Sequence, residues 1–104
     1  MEITPEELRT KLERGEKITL IDVREPAEYD ICHLKEARLI PMRELPHCIG
    51  ELNPKDLIIF YCHTGIRSMQ AALWFSQNGF TNVKNLEGGI DAWAETIDPS
   101  MERY

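Results

Sequence analysis

The spacing of apolar residues changes several times along the chain, and each change marks an element. Leu57 to Tyr61 is apolar at every position, which suits a parallel strand covered on both faces rather than a half-exposed one. Ile18–Val23 and Phe80–Leu86 read as further strands, and Ala37–Ile40 as a weaker one ended by Pro41. Elsewhere the period lengthens. From about Arg67 to Asn78 the pattern is helical with a wide apolar face, closed by Asn78-Gly79. After Gly88-Gly89, the residues Ile90, Trp93, Ala94 and Ile97 fall at i, i+3, i+4 and i+7 and predict a last helix.

Helix starts are also written in the chain. Thr4-Pro5-Glu6-Glu7 supplies a capping Thr, a Pro in the first helical position and the Glu that a capping box needs. That helix should turn Leu8 and Leu12 inward and stop at Gly15. Pro26 opens another short helix, and Met42–Leu52 is read as a third, followed by a turn at Asn53-Pro54-Lys55-Asp56. Strands alternating with helices predict an α/β domain with a mainly parallel sheet. No repeat, low-complexity stretch or linker divides residues 1–104, so one domain is expected.

Charge narrows the partners. Twelve basic against eighteen acidic residues leave a net charge of -6, with no basic block to neutralise phosphates, so nucleic acid is not an expected partner. No apolar run is long enough to span a membrane, and Met1-Glu2-Ile3-Thr4-Pro5 lacks signal-peptide character. A cytoplasmic location is expected by default.

Three cysteines are present, too widely spaced for a disulfide framework or a C-x-x-C redox pair. Each adjoins a histidine, as Cys32-His33, His47-Cys48 and Cys62-His63. In extended backbone such neighbours point to opposite sides and do not readily chelate one ion, so no metal and no cofactor are expected. Cys62 differs from the others by position, between an apolar strand and a helix. Ligands of parallel sheets bind beyond the carboxyl ends of strands, often at a helix N-terminus. A loop of His63, Thr64, Gly65 and Ile66 leading to Arg67 would turn backbone N–H groups toward the sulfur and stabilise a thiolate. Gly65 permits a tight curl, and Arg67 adds a permanent charge. His63 is not assigned a catalytic role. A buried structural cysteine is the plainer alternative.

At these residues the chain resembles the rhodanese-like domains. "YCHTGIRSMQAALWFSQNGFTNVKNLEGGIDAW" looks like the rhodanese active-site loop, its helix and the closing Gly-Gly-x-x-Ala-Trp element. "LIDVREPAEYDICHLKEARLIP" is similar to the family's earlier segment, around Asp22-Val23-Arg24, Glu28-Tyr29, His33 and Ile40-Pro41. The resemblance covers nearly the whole chain. It implies the rhodanese fold, a small doubly wound parallel sheet with helices on both faces, and Cys62 as a sulfur carrier. A small anionic donor such as thiosulfate would charge Cys62 to a persulfide. A nucleophilic acceptor (a thiol, cyanide or a carrier protein) would discharge it. Arg67 is expected to attract the donor or to orient the loop, and Asp22 and Arg24 to hold the framework by an ion pair.

The chain departs from the family pattern at Cys32 and Glu36, where Gly is usual, which puts the local backbone in question more than the chemistry. Cys32 as a second, resolving thiol and Cys48 as packing complete the cysteine readings. Two other functions stay open. A cysteine phosphatase or arsenate reductase has a similar loop, but tyrosine-phosphatase-type sites hold five residues between Cys and Arg, and here there are four. Such an enzyme also needs a general acid, for which Asp22 or Glu28 would have to serve. A binding module without turnover would have lost the nucleophile, which Cys62 retains. The tail "AWAETIDPSMERY" is similar to the ends of rhodanese domains fused behind adenylating enzymes, which implies a ubiquitin-like sulfur carrier as an acceptor.

Overall fold

Strand β4 (Ile58–Tyr61) is buried along its whole length, and its side chains alternate between two cores. Ile58, Phe60 and then Cys62 face one cluster with Ile21, Val23, Ala71, Ala72 and Phe75. Ile59 and Tyr61 face the other, with Leu8, Leu20, Leu86, Ile90 and Trp93. The period-two geometry of a strand therefore feeds both layers at once, which is why the segment carries no polar face.

A computed structural model describes residues 1–104. Its five strands are β1 (Glu2–Ile3), β2 (Thr19–Asp22), β3 (Arg38–Leu39), β4 and β5 (Val83–Leu86). They form one parallel sheet in the order β1-β5-β4-β2-β3. Helix α4 (Ile66–Gln77) and the short α3 (Leu45–Cys48) contribute to the first core. Helices α1 (Pro5–Glu13) and α5 (Gly89–Thr96) cover the second, and α2 (Pro26–Ile31) follows β2. From β2 the chain moves outward to β3, then returns to lay β4 on the other side of β2. The carboxyl ends of β2 and β4 thus adjoin at a switch point of the sheet, where ligands of such folds bind.

The expected α/β sheet is present. The capping box of α1 forms as expected, with Thr4 Oγ1 accepting from Glu7 N–H and Glu7 accepting from Thr4 N–H. Three features differ beyond a residue or two at the ends of elements. The segment Met42–Leu52 is not one helix but two 3-10 turns flanking α3, because Pro46 removes a donor and Gly50 adds no helical preference. Phe80 belongs to the core but not to β5, which begins at Val83. The edge strand β1 was not expected: two residues are too few for a readable period. No helix is long and apolar enough to cross a membrane.

Candidate active site

Cys62 follows β4 directly and is 1% exposed. The chain then turns through His63, Thr64 and Gly65 into α4. Gly65 has φ +100°, a left-handed conformation that costs a side-chain-bearing residue free energy. This turn aims amides back at the strand end. Sγ of Cys62 accepts from the N–H of Gly65 at 3.1 Å and of Ser68 at 3.4 Å. The hydroxyl of Ser68 lies 3.3 Å away.

The loop carbonyls are drawn the other way. Ile90 N–H donates to the Cys62 carbonyl at 2.9 Å and Asp91 N–H to that of His63 at 3.0 Å. The N-terminus of α5 thus satisfies its own free donors with the loop's acceptors. Gly89 makes this approach possible: a Cβ there would meet the His63 carbonyl oxygen and lie 2.6 Å from that of Cys62. Two helix N-termini therefore serve the loop, α4 on the sulfur and α5 on the backbone behind it.

Beneath the sulfur is a buried polar pair that the sequence reading missed. Ser68 and Asn85 are almost completely inaccessible, and Ser68 Oγ is 2.5 Å from Asn85 Oδ1. The amide nitrogen of Asn85 donates to Glu2 Oε2 at 3.0 Å and to the Gly65 carbonyl at 3.1 Å. Both partners only accept, so Oδ1 is the atom that faces Ser68. A signal was available. Ser68 shares the buried stripe of α4 with Ala71, Ala72 and Phe75, at i, i+3, i+4 and i+7, and a polar residue on such a stripe needs a partner.

Burial raises the Cys62 thiol, but the Ser68 hydroxyl and the N–H groups of Ser68, Gly65 and Thr64 outweigh it, and the net shift is downward. The stabilising groups are dipoles. Arg67 does not aim its charge at the sulfur. Its two terminal nitrogens grip Glu28 as a fork, at 2.8 and 2.9 Å, with 38% of its side chain still exposed. That fork draws the Glu28 carboxyl down to about 2 against the opposing effect of burial.

Asp22 and Arg24 form the ion pair expected of them, fully buried, with Arg24 Nη2 2.7 Å from Asp22 Oδ2. The Asp22 carboxylate also accepts the Arg24 backbone N–H at 3.0 Å. Arg24 satisfies its remaining donors on the Cys32 carbonyl at 2.6 Å and the Tyr104 hydroxyl at 2.9 Å. Of the loop residues, His63 stacks on Tyr104 with ring centroids 4.0 Å apart, and Ile66 is 72% exposed. Cys48 packs partly buried against the same core as Cys62, whereas Cys32 packs against the core on the opposite face of the sheet. A cavity of about 380 Å³ flanks the loop, lined by Glu2, Thr64, Gly65, Ile66 and Asn85 among others. Its one charged wall is acidic, which does not suit an anionic ligand.

The model of the rhodanese-like domain family matches residues 4–96. The chain belongs to the rhodanese-like domain family. The domain is 43% identical over 104 residues to a probable adenylyltransferase/sulfurtransferase MoeZ of Mycobacterium tuberculosis, covering 98% of this chain but only 26% of that protein. It thus spans about a quarter of the length of that relative. A protein of Allochromatium vinosum named sulfurtransferase is 40% identical over 94 residues, covering 89% of this chain and 87% of that one. Among solved structures, a rhodanese-like domain protein from Staphylococcus aureus superposes with a TM-score of 0.85 at 30% identity, covering 100% of this chain and 99% of the other.

Proposed function

We propose that this rhodanese-like domain, residues 1–104, is a sulfurtransferase that carries sulfane sulfur as a persulfide on Cys62. The observation that carries the reading is a buried sulfur at the end of β4 that accepts N–H groups from Gly65 and Ser68. Kinship with a protein named sulfurtransferase supports it.

In the reaction, the Cys62 thiolate attacks the outer sulfur of thiosulfate. A new S–S bond forms, the old one breaks, and sulfite leaves with the electron pair. A nucleophile such as cyanide or a thiolate then attacks the terminal sulfur, and the pair of that S–S bond returns to Sγ. The cycle is ping-pong, with no net oxidation of the protein. Loop amides hold the persulfide anion as an oxyanion hole holds oxygen. The single Ser68 proton serves Asn85 while the thiol is neutral and turns to sulfur when charge develops there, since an anion is the stronger acceptor. Arg67, matched by Glu28, orients the loop more than it attracts the donor. Similarity to an adenylyltransferase/sulfurtransferase supports a protein sulfur carrier among the acceptors.

The phosphatase reading loses its general acid. Glu28, at about 2, is ionised at neutral pH, and Asp22 is sealed in its pair with Arg24. The test is the intact mass after thiosulfate treatment. It should rise by one sulfur, fall back with cyanide, and stay unchanged in Cys62→Ser, while Cys48→Ser behaves as wild type. Turnover of p-nitrophenyl phosphate without sulfur loading would replace this function by the phosphatase.

A further inference from the structure

The segment after α5 lies outside the span matched by the family model, yet it reaches the loop. Arg103 pairs with Asp91 on α5 at 2.9 Å, and Tyr104 is delivered beside His63. We propose that Tyr104 is a positioning residue that clamps both shoulders of the Cys62 loop, His63 by stacking and Arg67 through Glu28. This rests on the sulfurtransferase reading only for its consequence in turnover.

The polar half of the clamp is a continuous chain. Arg24, anchored by Asp22, donates to Tyr104 Oη at 2.9 Å, and that hydroxyl donates to Glu28 Oε2 at 2.7 Å. Glu28 then holds both terminal nitrogens of Arg67. One phenol proton and one lone pair are thereby both engaged, so the hydroxyl has a single orientation. Glu28 Oε2 accepts from Arg67 and from Tyr104, and Oε1 from Arg67 and the Glu25 N–H at 3.1 Å. Without the Tyr104 hydroxyl the carboxylate keeps its charge and loses the contact that ties it to the sheet. The apolar half is the ring itself. Lying nearly parallel to His63, at 14°, it covers the residue that directly follows the nucleophile.

Because Arg67 closes the loop that begins at Cys62 and is held by Glu28, the state of the fork is readable in how a charged alkylating agent reaches the sulfur. The ratio of Cys62 alkylation rates with iodoacetate and with iodoacetamide, resolved from Cys32 and Cys48 by peptide mass, reports how free that charge is. Glu28→Gln should raise the ratio roughly threefold or more by removing the matching charge, and Tyr104→Phe roughly twofold by loosening the carboxylate that holds Arg67. In the Glu28→Gln background Tyr104→Phe should have no further effect, since the hydroxyl acts through Glu28. Amide hydrogen exchange of Thr64 and Gly65 should quicken in Tyr104→Leu but not in Tyr104→Phe. An unchanged ratio in Tyr104→Phe, an equal effect of that change in both backgrounds, or wild-type exchange in Tyr104→Leu would overturn the clamp. Failure of the wild type to load sulfur would sink the proposed function instead, and leave these readouts to judge the clamp alone.

Discussion

Two polar clusters meet at the carboxyl ends of β4 and β2, and they are made of different materials. Around Cys62 the partners are neutral: backbone amides, a hydroxyl and, behind it, the side-chain amide of Asn85. Beside it, Asp22, Arg24, Glu28 and Arg67 form two matched ion pairs bridged by Tyr104. The neutral cluster can accept a negative charge without first losing one of its own. The charged cluster is already satisfied and has little left to offer a substrate. Its role follows from where it sits: it holds α2, the loop after β4 and the segment after α5 against the sheet. In the proposed reaction the chemistry thus falls to dipoles, and the geometry to charges.

Breaking the charged cluster should therefore cost stability first. Arg24→Leu leaves Asp22 buried without its partner, and removing one member of such a pair typically costs about 3–5 kcal/mol. Against a domain stability of about 5–15 kcal/mol, that is a large fraction. Urea unfolding would measure it, and a loss well under 1 kcal/mol would mean that the pair is not the anchor described above. Breaking the backbone support of the neutral cluster should cost less stability and more activity. Gly89→Ala adds a methyl group against the Cys62 and His63 carbonyls at φ +64°, a strain of about 1–3 kcal/mol. Sulfur loading should fall well beyond what the remaining folded fraction explains; loading in proportion to folded protein would separate α5 from the loop.

A smaller effect concerns acid. Glu28 is drawn from 4.5 to about 2, chiefly by the Arg67 fork. A depressed carboxylate contributes stability in full above its unfolded value, and that contribution is lost as pH falls through the folded one. Between about pH 4.5 and 2, wild type should lose urea resistance more steeply than Glu28→Gln. Parallel curves would remove the fork from the stability of the fold.

How much of this was legible in the chain depends on sequence distance. The four expected strands, the cap at Thr4 and the placement of Cys62 before a helix are local patterns, readable from neighbouring residues. The resemblance to rhodanese-like domains rested on the same stretches. What stayed hidden is joined across the fold: Glu2 to Asn85, Arg24 to Tyr104 and Tyr104 to Glu28 are 83, 80 and 76 residues apart. Arg67 shows the limit well. Its charge is evident from its letter, but which carboxylate holds it depends on how α2 lies beside the loop. Ser68 was the more accessible omission, a polar residue on a buried helical stripe.

The division between dipoles and charges is tested most directly by the ionisation of Cys62, read as the pH dependence of its alkylation by iodoacetamide. In the wild type the pKa should lie below the value of about 8.5 for a free thiol. Ser68→Ala should raise it, by roughly one unit for a hydrogen bond to an anion worth about 1.5 kcal/mol. Arg67→Met should move it less than Ser68→Ala does. A wild-type value at or above that of a free thiol, or a larger shift in Arg67→Met than in Ser68→Ala, would contradict the assignment of the thiolate to neutral donors.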